Sequence, residues 1–310
     1  MWYTAITMDS GGSARDAGRR PRLLVTGASG TLGGWVAALA QPGWDVTATY
    51  HSGGPAPGDE GVAWRQLDIG DEVQVVRLMT ELRPDAVIHT AALSQGDRTD
   101  LERVNVGGTR HVARAASSRG ARLVHISTDL VFDGRKGSYV EPDPPAPITE
   151  YGRSKALAEE EVRNAAGEAV IVRTSLIYSW KPKLDRHSRW LLERASAGER
   201  IDLFTDERRS PIWVESLAQA AIELVGLEYT GVLHVAGAQV LSRHEHGLRL
   251  LRFHGLDQSP IVAGLSADSG LLRPLDCTLD CCRALALLET PLPGVDDVLS
   301  ANMGQPRPGP

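Results

Sequence analysis

Cysteine is scarce in this chain of 310 residues: there are three, all between Cys277 and Cys282. They are too few and too bunched for a disulfide framework, which excludes a stapled secreted scaffold and agrees with a reducing, cytoplasmic setting. Basic charge is not in excess either. With 33 Lys and Arg against 39 Asp and Glu the formal net charge is −6, so no global positive field exists to hold nucleic acid or an anionic membrane. No apolar run approaches the roughly 18 residues of a membrane span, the first twenty residues contain no continuous apolar core of a signal peptide, and no internal repeat is present. What remains is the composition of a soluble globule, 42% hydrophobic and 23% charged, long enough for two lobes.

Residues 1–20 lack periodicity and are expected to be a disordered tail, with Met8 an alternative start to Met1. From Arg22 onward short apolar runs alternate with helix-like periods. Strands are predicted at Arg22–Val25, stopping at Thr26-Gly27, and at Asp45–Tyr50, Ala63–Leu67, Ala86–His89, Arg122–Ser127 and Ala169–Thr174, and helices at Leu32–Ala40, Glu72–Leu82, Leu101–Ser118 and Tyr151–Ala165. Repeated βα units require helical crossovers between parallel strands, so the expected class is α/β, a Rossmann doubly wound parallel sheet over residues 21–178. Beyond Thr174 the rhythm weakens. Helices near Ser188–Ala197, Val214–Leu224 and from Ser242, with a strand at Val232–Val235, read as a smaller C-terminal substrate lobe over 179–300, some segments returning to the Rossmann core. The Pro- and Gly-rich end, 301–310, is expected to be disordered.

Three motifs carry chemistry. Thr26-Gly27-Ala28-Ser29-Gly30-Thr31-Leu32-Gly33 follows the first strand and opens the first helix. In that context Gly27 permits the tight turn, Gly30 lets backbone amides approach a pyrophosphate, and Gly33 allows close helix–sheet packing. Tyr151 and Lys155 stand four apart at the start of a helix, on one face, where a cation lowers a phenol's pKa toward working pH and the phenol serves as a proton donor. Such a pair also occurs as a plain solvated helix face. The strand ending Ser127-Thr128-Asp129 delivers a hydroxyl to the C-terminal edge of the sheet, where ligands bind in open α/β folds, 23 residues before Tyr151.

The Gly-x-x-Gly-x-x-Gly turn, the run Ser127 to Gly134 (Ser-Thr-Asp-Leu-Val-Phe-Asp-Gly) and Tyr-x-x-x-Lys together resemble the extended short-chain dehydrogenase/reductases. Within them, that run, Arg173 to Tyr178, Arg209-Ser210-Pro211-Ile212 and Arg273-Pro274-Leu275-Asp276 most resemble the dTDP-4-dehydrorhamnose reductase family. The likeness runs from about Arg22 to Ser300. It implies an oxidoreductase that moves a hydride from nicotinamide C4 to a carbonyl carbon, with Tyr151 supplying the proton, Lys155 holding the nicotinamide ribose and Thr128 hydrogen-bonding the carbonyl. By the same resemblance Asp68 and Ile69 contact the adenine, Ala91 and Ala92 lie along the cofactor, and Asn105 supports the proton relay. Asp68 is alternatively a helix cap and Asn105 a solvated helix residue. The loop His89-Thr90-Ala91-Ala92 departs from the family's usual Asn-Ala-Ala, and the stretch 97–102 is short, so the loop nearest the nicotinamide is expected to differ.

Cofactor choice is read from Tyr50, His51 and Ser52 at the end of the second strand. No carboxylate is present there to repel a 2′-phosphate, Tyr50 suits adenine stacking, and His51 and Ser52 suit a phosphate, which favours NADPH and leaves NADH open. The substrate expected is a sugar nucleotide, its diphosphate met by Lys181, Arg208 and Arg209, with Ser94 and Asp129 as further contacts. Lys181, Lys183, Arg186, Arg189 and Arg194 against Asp185 and Glu193 make the segment locally basic. Two other readings stay open: reduction of a specialised-metabolite ketone or imine, and a non-catalytic NADP-binding regulatory subunit similar to the methionine adenosyltransferase β subunit. No metal, nucleic acid or membrane partner is expected, and a homodimer is left open. The cysteine cluster reads as buried small hydrophobes and His244-Glu245-His246 as a solvated face.

Overall fold

The structure, a computed structural model, describes residues 19–54, 61–165, 167–182 and 184–304. The expected tails therefore lie outside the described residues at 1–18 and 305–310, as does Lys183. Thirteen strands are described: β1 (Arg22–Thr26), β2 (Asp45–Tyr50), β3 (Ala63–Gln66), β4 (Ala86–His89), β5 (Arg122–Thr128), β6 (Ala169–Thr174), β7 (Ile177–Tyr178), β8 (Ile201–Phe204), β9 (Arg208–Arg209), β10 (Ile212–Trp213), β11 (Gly231–His234), β12 (Leu241–Ser242) and β13 (Ile261–Gly264). The helices are α1 (Thr31–Ala40), α2 (Glu72–Leu82), α3 (Arg98–Leu101), α4 (Thr109–Ser117), α5 (Glu150–Asn164), α6 (Arg186–Ser196), α7 (Val214–Gly226), α8 (Arg243–His254), α9 (Cys282–Leu287) and α10 (Val295–Ala301).

Seven strands form one sheet in the order β11-β6-β5-β4-β1-β2-β3, with every pairing parallel. This is the doubly wound Rossmann arrangement. Its order reverses between β1 and β4, which opens a crevice at the C-terminal ends of those two strands. The strands read as continuous apolar runs because both faces are covered: Leu23, Leu24 and Val25 are all buried, as are Val87 and Ile88. Helices α1 and α7 pack together on one face, while α2, α4 and α5 cover the other.

Local chemistry sets the helix ends. The Asp71 carboxylate accepts from the amides of Val73 and Gln74 at the start of α2, and Thr149 accepts from Gly152 at the start of α5. Ser242 and Glu245 form a capping box at α8, which Gly255 ends in the left-handed region. The late strand β11 pairs with β6, so residues 214–234 belong to the Rossmann layer although they follow the first elements of the small lobe. The lobe itself is built on α6, α8 and the pair β8–β13. Where one helix was expected over Leu101–Ser118, a π-helical segment, Glu102–Gly108, separates α3 from α4.

Candidate active site

The glycine turn sits in the crevice. Gly27 has φ +71°, and a Cβ there would meet the Ala91 backbone at 2.6 Å, so the turn after β1 touches the loop after β4 with no room for a side chain. At Gly33 a Cβ would meet the Gly27 carbonyl oxygen at 2.6 Å. Helix α1 starts at Gly30 with no side-chain cap and no acid in its first turn, leaving its positive end for an anion. Ser29, Thr31 and Leu32 belong to the same turn, with Leu32 buried in the core beneath it. A cradle that a Cβ would fill, next to an uncapped helix start, fits the pyrophosphate of a dinucleotide.

The strand end of β5 and the first turns of α5 meet beside this crevice. Gly152 is why they come so close: a Cβ there would lie 2.0 Å from the Leu130 carbonyl oxygen. Thr128 accepts from the amide of Leu130 and donates to the Asp129 carboxylate at 3.2 Å, and its hydroxyl acts on the nearby phenol of Tyr151. Lys155 is 2% exposed, and its Nζ donates to the Ile126 carbonyl at 2.8 Å and to His125 Nε2 at 3.2 Å. Its ordinary pKa is pushed down to about 8 by burial, partly offset by Glu159.

One expectation gives way here. Lys155 does not lower the Tyr151 pKa: the phenol is pushed up to about 12 by burial and then by the charge of Asp129, against which the Thr128 hydrogen bond works. The ammonium is drawn inward to β5 instead. Tyr151 is accordingly a neutral phenol at working pH, a proton donor.

Glu159 continues the Tyr151–Lys155 spacing by one more turn, a signal that sequence reading passed over. Its buried carboxylate takes two hydrogen bonds from Arg173 of β6 (3.0 and 2.8 Å), one from Ser127 (2.7 Å) and one from Arg163 (2.8 Å), and is held below the usual carboxylate range chiefly by Arg173. This fixes the register of α5 against β5 and β6. Asn105, in the π-helical segment, is fully buried rather than a solvated helix residue. Its side chain donates to the Leu93 carbonyl (2.9 Å) and to Ser154 Oγ (2.8 Å) and accepts from the Leu93 amide (2.8 Å). It therefore ties the loop after β4 to α5.

On the adenine side, Tyr50 packs against Trp64 with ring centroids 6.3 Å apart, while His51 and Ser52 are exposed. Asp68 does not cap α2, which Asp71 does. Its carboxylate accepts from the Gly70 amide (2.8 Å) and from Arg103 (3.0 Å). Arg103 comes from the π-helical segment and stands where the sequence showed no arginine. The side chain of Ile69 is buried in the core. Ala91 is half-buried, and Ala92 and Ser94 are exposed on the loop.

The substrate side needs the larger correction. Arg209 is not an open fork for a diphosphate: it is 4% exposed and its guanidinium donates to the carbonyls of Arg208, Pro274 and Leu275 and to Glu207, with Asp129 3.6 Å away. Asp129 is itself buried, accepting from Ser175 at 2.6 Å, with its carboxyl pushed up by burial. Arg208 is exposed and 3.7 Å from Asp276. Lys181 is half-exposed, its carbonyl accepting from Trp35 of α1 at 3.0 Å, and Arg186 at the start of α6 reaches Gln95 on the loop after β4. The basic segment thus lies beside the crevice.

Sequence reading missed Arg243 and gave Arg273 no role. Arg273 donates to Glu207 at 2.8 Å, and Arg243, half-exposed, donates to the ring of His187 at 3.1 Å. Arg209 and Arg273 contact the Glu207 carboxylate, and Arg243 lies near enough to feel both Glu207 and Asp185, with burial lowering it to about 10. Two bland readings also change. Cys277 is buried, but Cys281 is half-buried and Cys282 exposed, and His246 is buried rather than solvated.

The chain is similar to several known proteins. The family described as "RmlD substrate binding domain" matches residues 21–302. The dTDP-4-dehydrorhamnose reductase of Mycobacterium tuberculosis is 36% identical over 240 residues, 73% of each chain. The probable low-salt glycan biosynthesis reductase Agl14 of Haloferax volcanii is 32% identical over 290 residues, 90% of this chain and 96% of that protein. The crystal structure of Bacillus anthracis dTDP-4-dehydrorhamnose reductase in complex with NADP superposes with a TM-score of 0.79 at 26% identity, covering 91% of this chain and 98% of that one. The chain belongs to the dTDP-4-dehydrorhamnose reductase family of extended short-chain dehydrogenase/reductases, NAD(P)-dependent oxidoreductases on a Rossmann fold.

Proposed function

We propose that the chain reduces the ketone of a nucleotide-activated 4-keto-6-deoxysugar with NADPH. The observation that carries this is the meeting of Thr128, Tyr151 and Lys155 at the sheet edge beside the glycine cradle. When bound, the reduced nicotinamide supplies the hydride. The chain's own residues do the rest. The Tyr151 phenol gives its proton to the carbonyl oxygen, the Thr128 hydroxyl orients that oxygen, and Lys155, two of whose three donors are held by β5, would offer the third to the nicotinamide ribose. NADPH is favoured because Tyr50, His51 and Ser52 bring no carboxylate of their own, and Arg103 offsets the charge of the neighbouring Asp68.

For the substrate's diphosphate we propose Arg243 and Arg273, with Arg208 and Lys181 at the rim, in place of Arg209. Arg243 and Arg273 are both part-exposed beside Glu207, and an arginine fork matches phosphate oxygens. Incubating the protein with NADPH and either dTDP-4-keto-6-deoxysugars or unactivated ketones tests the reading. Oxidation of NADPH only with the sugar nucleotide supports it. Turnover confined to a simple ketone or imine, or nucleotide binding without turnover, contradicts it.

A further inference from the structure

Beneath Lys155 the sheet carries a polar seam where its neighbours are apolar. His89 of β4 and His125 of β5 are register partners on adjacent parallel strands, both buried, with ring centroids 5.2 Å apart. His89 bonds Thr26 of β1 through Nδ1 (2.6 Å) and Thr109 of α4 through Nε2 (3.1 Å). His125 meets Lys155 through Nε2 at 3.2 Å, and its Nδ1 has no partner among the described residues. An ammonium only donates, so Nε2 of His125 must accept and its ring proton must sit on Nδ1. That leaves a buried N–H unpaired, a penalty of about 1–3 kcal/mol that an aliphatic side chain on this strand would avoid. The one bond secured in return is the one to Lys155.

We propose that His125 is a positioning residue for the reaction, a neutral imidazole that anchors the Lys155 ammonium from within the sheet and governs when that lysine gives up its proton. The inference rests on the reading of Tyr151 and Lys155 given above. Burial holds the His125 pKa well below its ordinary value, and the charge of Lys155 and the neighbouring His89 act in the same direction, so the ring stays an acceptor throughout the working range. Other titratable and charged groups around Lys155 are Glu159 and Tyr151 on α5, Asp129 beyond β5, Arg173 of β6 acting on Glu159, and His89 on β4; Thr109 and Asn105 are uncharged. Glu159 favours the ammonium, burial opposes it, and the His125 acceptor supports it. Removing the acceptor therefore lowers the pH at which Lys155 deprotonates.

The test titrates the Lys155 Nζ by 15N NMR in wild type, His125→Leu and His125→Gln, and follows kcat against pH with NADPH and the keto-sugar nucleotide. His125→Leu should move both the lysine titration and the basic limb of kcat to lower pH by about one unit or more, and His125→Gln, which keeps an acceptor, should restore much of the shift. The 15N spectrum of wild-type His125 should show the Nδ1–H tautomer. Unchanged Lys155 titration in His125→Leu overturns the proposal, and so does an Nε2–H tautomer in wild type, a result that needs no variant to fold. The titration requires no substrate, so absent ketone reduction in wild type counts against the functional reading alone.

Discussion

Tyr151 and Lys155 share a helix face but not the relation that their spacing suggests. Burial and Asp129 keep the phenol neutral, and β5 holds the ammonium from below. In the proposed reaction the phenol works as a protonated donor, and Tyr151→Phe should leave NADPH affinity within a few-fold while lowering kcat by about 10²–10⁴; steady-state kinetics beside a fluorescence titration would separate the two. Full turnover in the variant would remove Tyr151 from the reaction. His51 is exposed, with the Asp68 carboxylate 3.9 Å from its Nε2, and the end of β2 brings no acid of its own; His51→Asp should therefore reverse a preference for NADPH over NADH by adding a second negative charge that repels the 2′-phosphate. Titration of both nucleotides against wild type and variant checks this, and tighter NADH binding by wild type refutes it. Arg209, by contrast, now belongs with stability. Its loss leaves Asp129 a buried carboxylate without its cation, while Glu207 keeps Arg273, so Arg209→Ala should lower stability by about 3–5 kcal/mol, read by denaturant unfolding. An unchanged unfolding midpoint would mean that the Asp129 carboxyl finds another partner.

Among the elements, α5 does most to place the chemistry, and it is held at three points: Gly152 against the Leu130 carbonyl, Ser154 bonded by Asn105, and Glu159 bonded by Arg173. Gly152→Ala should push the first turn of α5 off the β5 end and cost about 10² in kcat through misplacement of Tyr151, with circular dichroism unchanged; wild-type kcat in a folded variant would show that the contact has slack. The core strands and α5 were legible in sequence because each is a long apolar run or a strongly periodic segment with a capping residue. Two-residue strands such as β7, β9, β10 and β12 are too short for alternation to register. The π-helical segment escaped for another reason: it depends on Asn105 reaching Leu93 and Ser154, contacts made across the fold that no local period encodes. The same holds for Arg209 and Arg243. A sequence shows a cation, but whether it is enclosed by carbonyls or faces an opening is decided by the loop 265–276 and by α8.

Across the whole molecule, four histidines, His89, His125, His187 and His246, are held neutral, with His89 and His246 pushed down to about 3 by burial. In the unfolded chain each binds a proton below about pH 6.5, while the folded protein binds none until far lower pH. Stability from this source is therefore complete above about pH 6.5 and is lost as pH falls toward 3, at about 1.4 kcal/mol per unit for each histidine. Denaturant unfolding between pH 7.5 and pH 4.5 (about two units to either side of the ordinary histidine value at most) should show that loss, with a shallower slope in His246→Phe; a flat profile would mean that these rings are not buried neutral. With a net charge of −6, the chain would meet an anionic substrate locally, through the proposed Arg243 and Arg273, and the proposed function stands on reduction of that substrate at one carbon. The direct measurement is transfer from NADPH deuterated at nicotinamide C4, analysed by mass spectrometry of the sugar nucleotide product. One deuterium on sugar C4 from wild type, lost in proportion to turnover in Tyr151→Phe, is the predicted result; no deuterium in the sugar, or equal transfer by the variant, would contradict it.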